Sequence, residues 1–481
     1  MGGALLTVTN PLGQATRHRV DAAGRPVETY DPRGGRAAAV YDALGRVSML
    51  TDTLGAVTRV GWTPEGKLAS LTAPDGSREG WTYDGEGNLV EHRDALGAAT
   101  RFEYSPFDKP ISRTDPTGAR YEFAYDTRMR LVSVTNPRGM VWRYEYDAAD
   151  RLIGETDFNG RALVYRYDAA GQLVERVNGA GESVVFDRDE LGLVRERRAA
   201  GAVARFTRDA AGRLLRAEGP GTTLECTWDA AGRLLTECVD GRVLTNAYDA
   251  AGRRFSRTTP SGAVSQWTYD PDGLPAALST AHGGMSFAFD AEGREVGRFV
   301  GTQAAVSQEF DAAGRLVTQA LWSYAQNGTP SSSPRLLHQR GVSYRADGFP
   351  TAIADSVRGV RSYDLDQMGR VSAVRADGWN ETYAYDELGN IAHADGRDEW
   401  DWTGEREYSG NLVRRAGRVH YERDEQGRLI RTVRRTLSGQ RRESTYTWDA
   451  DDRLTGVRTA RGVPGPWYPE GGAIPRRLGG P

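Results

Sequence analysis

Lysine is almost missing from this chain: Lys67 and Lys109 are the only two among 62 basic residues, which leaves 60 arginines. Sixty-five acidic residues balance them, so the formal net charge is −3 and the isoelectric point lies near 6.2. Such a balance exerts no global pull on nucleic acid or on an anionic membrane surface. The arginine bias fits a GC-rich genome better than a binding function. Cysteine is equally scarce. Cys226 and Cys238 cannot form a disulfide framework or a zinc site of the usual kind. They sit three residues before and nine after Asp229, so a hairpin centred there would not set them opposite each other. No apolar run approaches ~18 residues, so no transmembrane helix is expected. The N-terminus, MGGALLTVTNPLGQ, lacks the basic region and apolar core of a secretory signal. Long helices are excluded too, because glycine or proline arrives too often for several helical turns to form.

What is abundant is glycine, 58 residues of it, spread along the chain and recurring. The recurrence belongs to a repeat. YDALGRV starts at Tyr41, YDGEGNL at Tyr83, YDAAGQL at Tyr167, WDAAGRL at Trp228, YDAAGRR at Tyr248 and FDAAGRL at Phe310. With the aspartate as phase marker, the positions run 21, 42, 63, 84, 105, 126, 147, 168 and 189, a step of 21 each time. Thr63 and Ser105 keep the frame where the aspartate is lost. Beyond Asp189 the steps are 20 or 21, through Asp209, Asp229, Asp249, Asp270, Asp290 and Asp311.

A second signal lies midway between these markers: Asn10-Pro11-Leu12-Gly13, Asp31-Pro32-Arg33-Gly34, Asp115-Pro116-Thr117-Gly118 and Asn136-Pro137-Arg138-Gly139. Asx first, proline second and glycine fourth is the preference of a type I turn. The DAAG element suits a type I turn closed by a G1 bulge. Each unit thus holds two turns about ten residues apart, leaving roughly six residues per strand, or ~20 Å of extended chain. Between turns the side chains alternate, as in Trp142, Tyr144 and Tyr146 against Arg143 and Glu145. Period two with aromatics on one face predicts half-buried strands, with Arg and Glu lacing the other face. The turn signature is carried by Asp42, Gly45 and Arg46, by Asp84 and Gly87, by Asp168 and Gly171, by Asp229, Gly232 and Arg233, by Asp249 and Gly252, and by Asp311, Gly314 and Arg315. The aromatic ladder comprises Tyr41, Tyr83, Tyr125, Tyr144, Tyr146, Tyr167, Trp228 and Tyr248. Packing is the expected role of the ladder; a carbohydrate-stacking surface is the sharper alternative.

The frame divides the chain. Residues 1–324 form the regular array. A polar segment, 325–334, reads as an inserted surface loop, because the step from Asp311 to the next turn at Arg345 is 34. The array continues with degenerate repeats over 335–459, loosened after Asp386 near Trp400 and Trp402. Residues 460–481, with six glycines and five prolines, are expected to be an irregular tail, consistent with truncation or a shifted frame. The chain also opens in mid-repeat, so Met1 is not expected to be the start of a complete protein.

The Y-D-x-x-G-R-L unit with D-P-x-G between copies resembles the YD repeat of the Rhs family, over roughly residues 4 to 459. That repeat is shared with toxin-complex shell components, wall-associated toxins and teneurins. The resemblance implies an all-β fold, a long antiparallel sheet spiralling into a hollow shell, here partial. It implies a structural, encapsulating role in a secreted polymorphic toxin of interbacterial competition. The partners would be a C-terminal toxin cargo outside this chain, a cognate immunity protein and type VI-like secretion machinery, with the protein cytoplasmic before export. A cell-surface adhesin that binds glycans and an inactive Rhs remnant are the alternatives.

Nothing in the sequence points to catalysis by this segment. His18, His92, His282, His338, His393 and His420 share no metal spacing, and Asp449 to Asp452 resemble a calcium loop only in composition. No nucleophile elbow, zincin motif or phosphate loop stands out. Asp270-Pro271-Asp272-Gly273-Leu274 matches the letters of the motif at which Rhs shells release their toxin, but it lies within the repeat frame. No catalytic residue, metal, cofactor, nucleic-acid partner or membrane span is expected.

Overall fold

The computed structural model describes residues 5–326, 329–396, 403–435 and 440–459. Among them every regular element is a strand: 43 strands in one antiparallel sheet, from Leu5–Thr9 to Leu454–Thr459. Strands pair with their neighbours in sequence. Leu131–Thr135, for example, bonds to Arg120–Tyr125 on one side and Val141–Tyr146 on the other. This is what a period-two pattern interrupted by tight turns must build, since each short strand finds its partner across the turn just made.

The 21-residue period has a simple composition. Pro26–Tyr30 and Arg36–Tyr41, strands of five and six residues, are joined by the loop 31–35 and followed by the loop 42–46, each of five. In the latter, Asp42 N–H donates to the Arg46 carbonyl at 2.8 Å and Gly45 N–H to the Asp42 carbonyl at 3.0 Å. Gly45 has φ 79°, and the register shifts between Val40 and Tyr41, so the expected turn with a G1 bulge is present. Asp108, Met129, Asp150 and Asp452 hold the same left-handed position without glycine, with φ between 57° and 65°. The 20-residue step has a different cause. Val194–Ala199 and Ala202–Arg208 meet through two residues only, Ala200 at φ 49° and Gly201 at φ 78°. Two consecutive left-handed residues make a type I′ turn. It replaces the five-residue loop, while each flanking strand gains one residue.

The inserted segment is not the surface loop expected for 325–334. Leu316–Gln326 and Thr329–Tyr344 are strands of 11 and 16 residues that pair as far as Gln326 with Thr329. Lengthening two paired arms satisfies the surplus backbone N–H and C=O groups, which a polar loop would leave to water. The dipeptide Asn327-Gly328, outside the described residues, was the overlooked signal for a hairpin. The stretch between Asp386 and Asp424 holds an additional hairpin, Gly404–Ser409 and Leu412–Ala416. Trp400, Trp402 and the tail 460–481 lie outside the described residues.

Contacts group the chain into two compact units, each made of two separate stretches: 1–101 with 224–364, and 102–223 with 365–481. This grouping cuts across a linear division at the insertion, and its cause lies in the turns. Turns near Asn10 and Asp31 define one edge of the sheet; those near Asp42 and Asp270 define the other. Within the first unit, Arg33 reaches Asp272 and the Asp290 carbonyl (3.2 Å), Thr53 N–H donates to Glu292 (2.6 Å), and Asp75 pairs with Arg315 (2.9 Å). Within the second, Arg138 pairs with Asp386 (2.8 Å), Gly179 N–H donates to Gln426 (2.7 Å), and Glu182 pairs with Arg428 (2.8 Å). All these partners are 239 to 257 residues apart. Val184 and Ala199 close against Ala450 in the same seam.

The I′ turn gives a direct test. No heavy atom lies within 4 Å of a Cβ built on Gly201, so Gly201→Ala is expected to cost only its left-handed strain, about 1–2 kcal/mol. Ala200→Gly, which relieves such strain at an exposed site, is expected to leave the melting temperature unchanged or raise it. Thermal melts of both variants check this; the reverse order would refute the turn assignment.

Candidate functional site: a repeating aspartate–arginine–aromatic clamp

The YDxxGR signature assembles into one local device, seen clearly at Asp229. Its Oδ1 accepts the backbone N–H groups of Ala231 and Arg233, both at 2.9 Å, and its Oδ2 accepts Arg233 Nε at 2.6 Å. The guanidinium, held in plane by this carboxylate, lies over the ring of Tyr248 at 5.1 Å from its centroid and donates to the Asp249 carbonyl at 3.0 Å. The Tyr248 hydroxyl then donates back to the Leu234 carbonyl at 2.9 Å. One side chain thus closes its own turn, the next strand and the start of the next turn. Arginine suits this because its planar fork binds a carboxylate and stacks on a ring together.

The device recurs at Asp21, Arg25 and Tyr41, at Asp42, Arg46 and Trp62, at Asp147, Arg151 and Tyr167, and at Asp366, Arg370 and Tyr385. It spans the insertion as well: Arg315, held by Asp311, still lies over Tyr344 at 5.1 Å. Glycine at the fourth turn position serves the clamp twice. It takes the left-handed φ, and at Gly45 a Cβ would come within 2.5 Å of Arg25 NH1. Tyr83, Tyr125 and Tyr146 donate to the carbonyls of Leu68, Pro110 and Leu131 in the same way. Tyr144 lies one step along the same face, stacked on Trp142 at 6.0 Å.

Substitutions within the array show which part matters. Trp62 and Trp448 donate through Nε1 to Val47 and Leu429, both at 2.7 Å. Arg188, standing where the aromatic is absent, donates Nε to the Leu173 carbonyl at 3.0 Å, and Arg208 reaches Val194 at 2.6 Å. Tyrosine, tryptophan and arginine here all donate to the carbonyl one residue beyond the arginine position, whereas Phe289 and Phe310 keep the ring without a donor, Phe310 still under the Arg294 guanidinium. At Asp84 and Asp168 the fifth loop residue is Asn88 or Gln172; Asn88 Nδ2 bonds Asp84 Oδ2 at 3.2 Å, a weaker substitute.

The clamp fixes charge states. In Asp42, Asp147 and Asp229 the backbone N–H of the arginine holds the carboxyl below its ordinary value of 3.8, and the guanidinium adds to this. On the opposite face the expected Arg–Glu lacing is present: Arg19 and Arg36 hold Glu28 down to about 2. The other candidates stay apart. His92 pairs with Glu79 and stacks on Trp81, His338 meets Asp355, and His393 meets Glu405. No group of three or more His, Cys, Asp or Glu among the described residues could hold a metal ion. Cys226 stands opposite Glu237 and Cys238 opposite Glu225, so the thiols occupy different faces of the sheet, and both are free. Asp270 is a turn former, accepting Asp272 and Leu274 N–H groups, and it takes part in the seam with Arg33. The seam residues Arg33, Arg138, Glu182 and Arg428 were not found by sequence reasoning. Their only trace is an arginine at the variable position of two Asx-Pro-x-Gly turns.

Two expectations follow from the clamp. Tyr248→Phe removes one hydrogen bond, about 1 kcal/mol, whereas Arg233→Ala removes the ion pair, the carbonyl bond and the ring contact and should lower the melting temperature further. Equal effects would mean that the guanidinium is idle. Because the clamp carboxyls titrate lower when folded than when unfolded, their contribution is complete above pH about 4 and is lost as pH falls through the folded values. The melting temperature should therefore be flat from neutral pH to about 5 and fall below 4, and Asp229→Asn should flatten that acid limb.

A family model described as RHS Repeat matches residues 41–78, 83–120, 125–162 and 248–285. Curated proteins give no sequence match. Among solved structures, TcdB2-TccC3 without its hypervariable C-terminal region superposes with a TM-score of 0.62 at 12% identity, over 94% of this chain and 30% of that one. A Tc holotoxin pore from Photorhabdus luminescens gives 0.58 at 13% identity, over 94% and 27%. At such identity the likeness is one of fold, and the chain spans under a third of the length of the structures it matches. The turn-and-clamp geometry, the four repeat matches and the shared fold make this chain similar to RHS-repeat proteins, with the repeat itself matched over these four stretches.

Proposed function

We propose that this chain is a stretch of wall in an encapsulating shell of a secreted or delivered toxin. The observation that carries this reading is the seam. In each unit, turns of one edge dock on turns about 250 residues later, which gives a single-layer sheet a second course on which to rest. A sheet whose successive courses meet through their turns extends over area without a second layer behind it, as an enclosure requires. The shared fold with TcdB2-TccC3 supports the same role, and that protein's hypervariable C-terminal region fits a variable cargo.

In this reading the repeats are structural, and any toxin or autoproteolytic chemistry belongs to other segments. The cargo is a C-terminal toxin, its producer protected by an immunity protein, and the setting is interbacterial competition. A type VI-like route from the cytoplasm rests on the sequence resemblance alone, since the structural neighbours are named as Tc toxins. The adhesin alternative gains nothing from the ladder: its rings lie under guanidinium groups and its hydroxyls donate to carbonyls, so few faces remain for sugars.

The test is protection. The gene product that contains this chain, with its downstream segment, is treated with protease before and after acid opening. A shell predicts a downstream segment resistant at neutral pH and cleaved below pH 4, with a hollow particle by electron microscopy. Cleavage at the rate of the free segment, with a solid or open particle, would refute enclosure.

A further inference from the structure

Two strands of the second unit break the charge pattern of the sheet. Leu429–Arg435 and Arg441–Trp448 pair so that Arg434 stands opposite Arg442 and Arg435 opposite Arg441. The common arrangement sets arginine opposite glutamate, as in Arg19 with Glu28, Arg166 with Glu175 and Arg205 with Glu196. Residues directly opposed across an antiparallel pair have Cβ atoms about 4.5–5.5 Å apart, and like charges there repel. No acid lies between Val433 and Arg442 in the sequence to answer these four guanidinium groups. From Asn411 to Thr459 there are twelve arginines and seven acids, although the whole chain carries a net charge of −3.

The adjoining acid is already committed. Glu443, two residues on from Arg441, shares its face of the strand. Its Oε1 accepts Arg431 Nε at 2.7 Å and its Oε2 accepts Arg431 Nη2 at 2.9 Å, while Arg441 Nη2 comes only within 3.4 Å. The Arg431 guanidinium holds the Glu443 carboxyl below its ordinary value of 4.5. Among the described residues no acid pairs with Arg435. Arg435 is exposed and the Arg441 side chain is 58% exposed, so the donors of both are open to solvent.

The kind of anion follows from the geometry. A carboxylate has two oxygens in one plane and satisfies one planar fork, as Asp229 does for Arg233. Two opposed forks call for oxygens disposed around a centre and for more than one negative charge. A phosphate group offers three acceptor oxygens and a charge of about −1.5 to −2, and the guanidinium fork matches it. We propose that Arg435 and Arg441 form an exposed phosphate site, one phosphate group bridging the two guanidinium groups. The phosphate is free or is carried on a lipid headgroup, with the same contacts in both cases. The site does not depend on enclosure, because it is built from one hairpin.

The full chain is titrated with pyrophosphate by calorimetry at an ionic strength held constant with sodium chloride, and is floated with vesicles of phosphatidylglycerol or of phosphatidylcholine. Saturable pyrophosphate binding is expected. Flotation with phosphatidylglycerol alone would place the group on a lipid, and flotation with neither would assign free phosphate. Arg441→Gln should weaken pyrophosphate binding about tenfold or more. Arg59→Gln, at an exposed arginine with Met49 and Thr72 opposite, should leave it unchanged. Arg435→Glu supplies an internal counter-charge, as Glu28 does for Arg19, and should abolish binding while raising the melting temperature. No pyrophosphate binding, equal binding of a glutamate-rich peptide, or pyrophosphate binding unaffected by Arg435→Glu would each overturn the proposal.

Discussion

The rest of this architecture depends on the turn aspartate, which binds the backbone of its own five-residue loop and, where an arginine follows, holds that guanidinium over the ring two strands on. A single-layer sheet cannot rely on a thick core. Of the fourteen buried hydrophobic residues among those described, nine are alanine, so large side chains are half-covered and not enclosed. Short hairpins with so little burial are marginal alone. What makes them persist here is that each is tied to the next by the same constellation: carboxylate to guanidinium, guanidinium to ring, hydroxyl to carbonyl. Each bond is modest, about 1 kcal/mol in net terms. Repetition makes stability a sum of units and nearest-neighbour terms, as in other repeat proteins.

The same constellation explains why arginine so far outnumbers lysine at the fifth loop position. A lysine ammonium cannot grip a carboxylate through a planar fork and lie flat on a ring. Lys67 and Lys109 occupy this position, and there the first loop residue is Thr63 or Ser105, with no carboxylate to grip. The two departures belong together. Thr63 and Ser105 still accept the backbone N–H of the lysine, at 3.2 and 3.3 Å, so the turn survives the loss of the clamp's charged half. The aromatics remain too: the Tyr83 hydroxyl reaches Leu68 at 2.9 Å across the repeat whose turn holds Thr63. The turn is therefore the part that persists, and the ion pair and the carbonyl donor reinforce it, since Phe289 and Phe310 dispense with the donor.

Most of this was legible in the sequence because it is local. The 21-residue frame, the two kinds of turn, the bulge and the alternation of faces all rest on interactions within about twenty residues, so spacing alone exposes them. Asp42, Gly45 and Arg46 were legible as a turn, but not as a clamp, since Trp62 looks in sequence like a packing residue only. The 20-residue step was visible as a number without its cause, which lies in the left-handed pair Ala200 and Gly201. The insertion misled because polar composition suggested a loop, while backbone pairing overrode composition. The seam was illegible altogether: Arg33 and Asp272 are 239 residues apart, and no period in one sequence links them.

That separation has a physical consequence. The clamp uses the first, fourth and fifth positions of its loop, together with the aromatic before the following loop on the same edge. The seam draws on what is left: variable turn positions such as Arg33, Thr53, Arg138 and Glu292, or second valences such as the far nitrogen of Arg315 and of Arg428. Register within the sheet and contact between its courses therefore rest mostly on different residues, but they meet at Arg428, whose Nη1 donates to both Glu182 and the Asp449 carbonyl, and at Asp386, whose Oδ2 accepts both Asn390 and Arg138. A change at Arg138 can remake the seam locally without loosening a strand, whereas a change at Arg428 disturbs both at once.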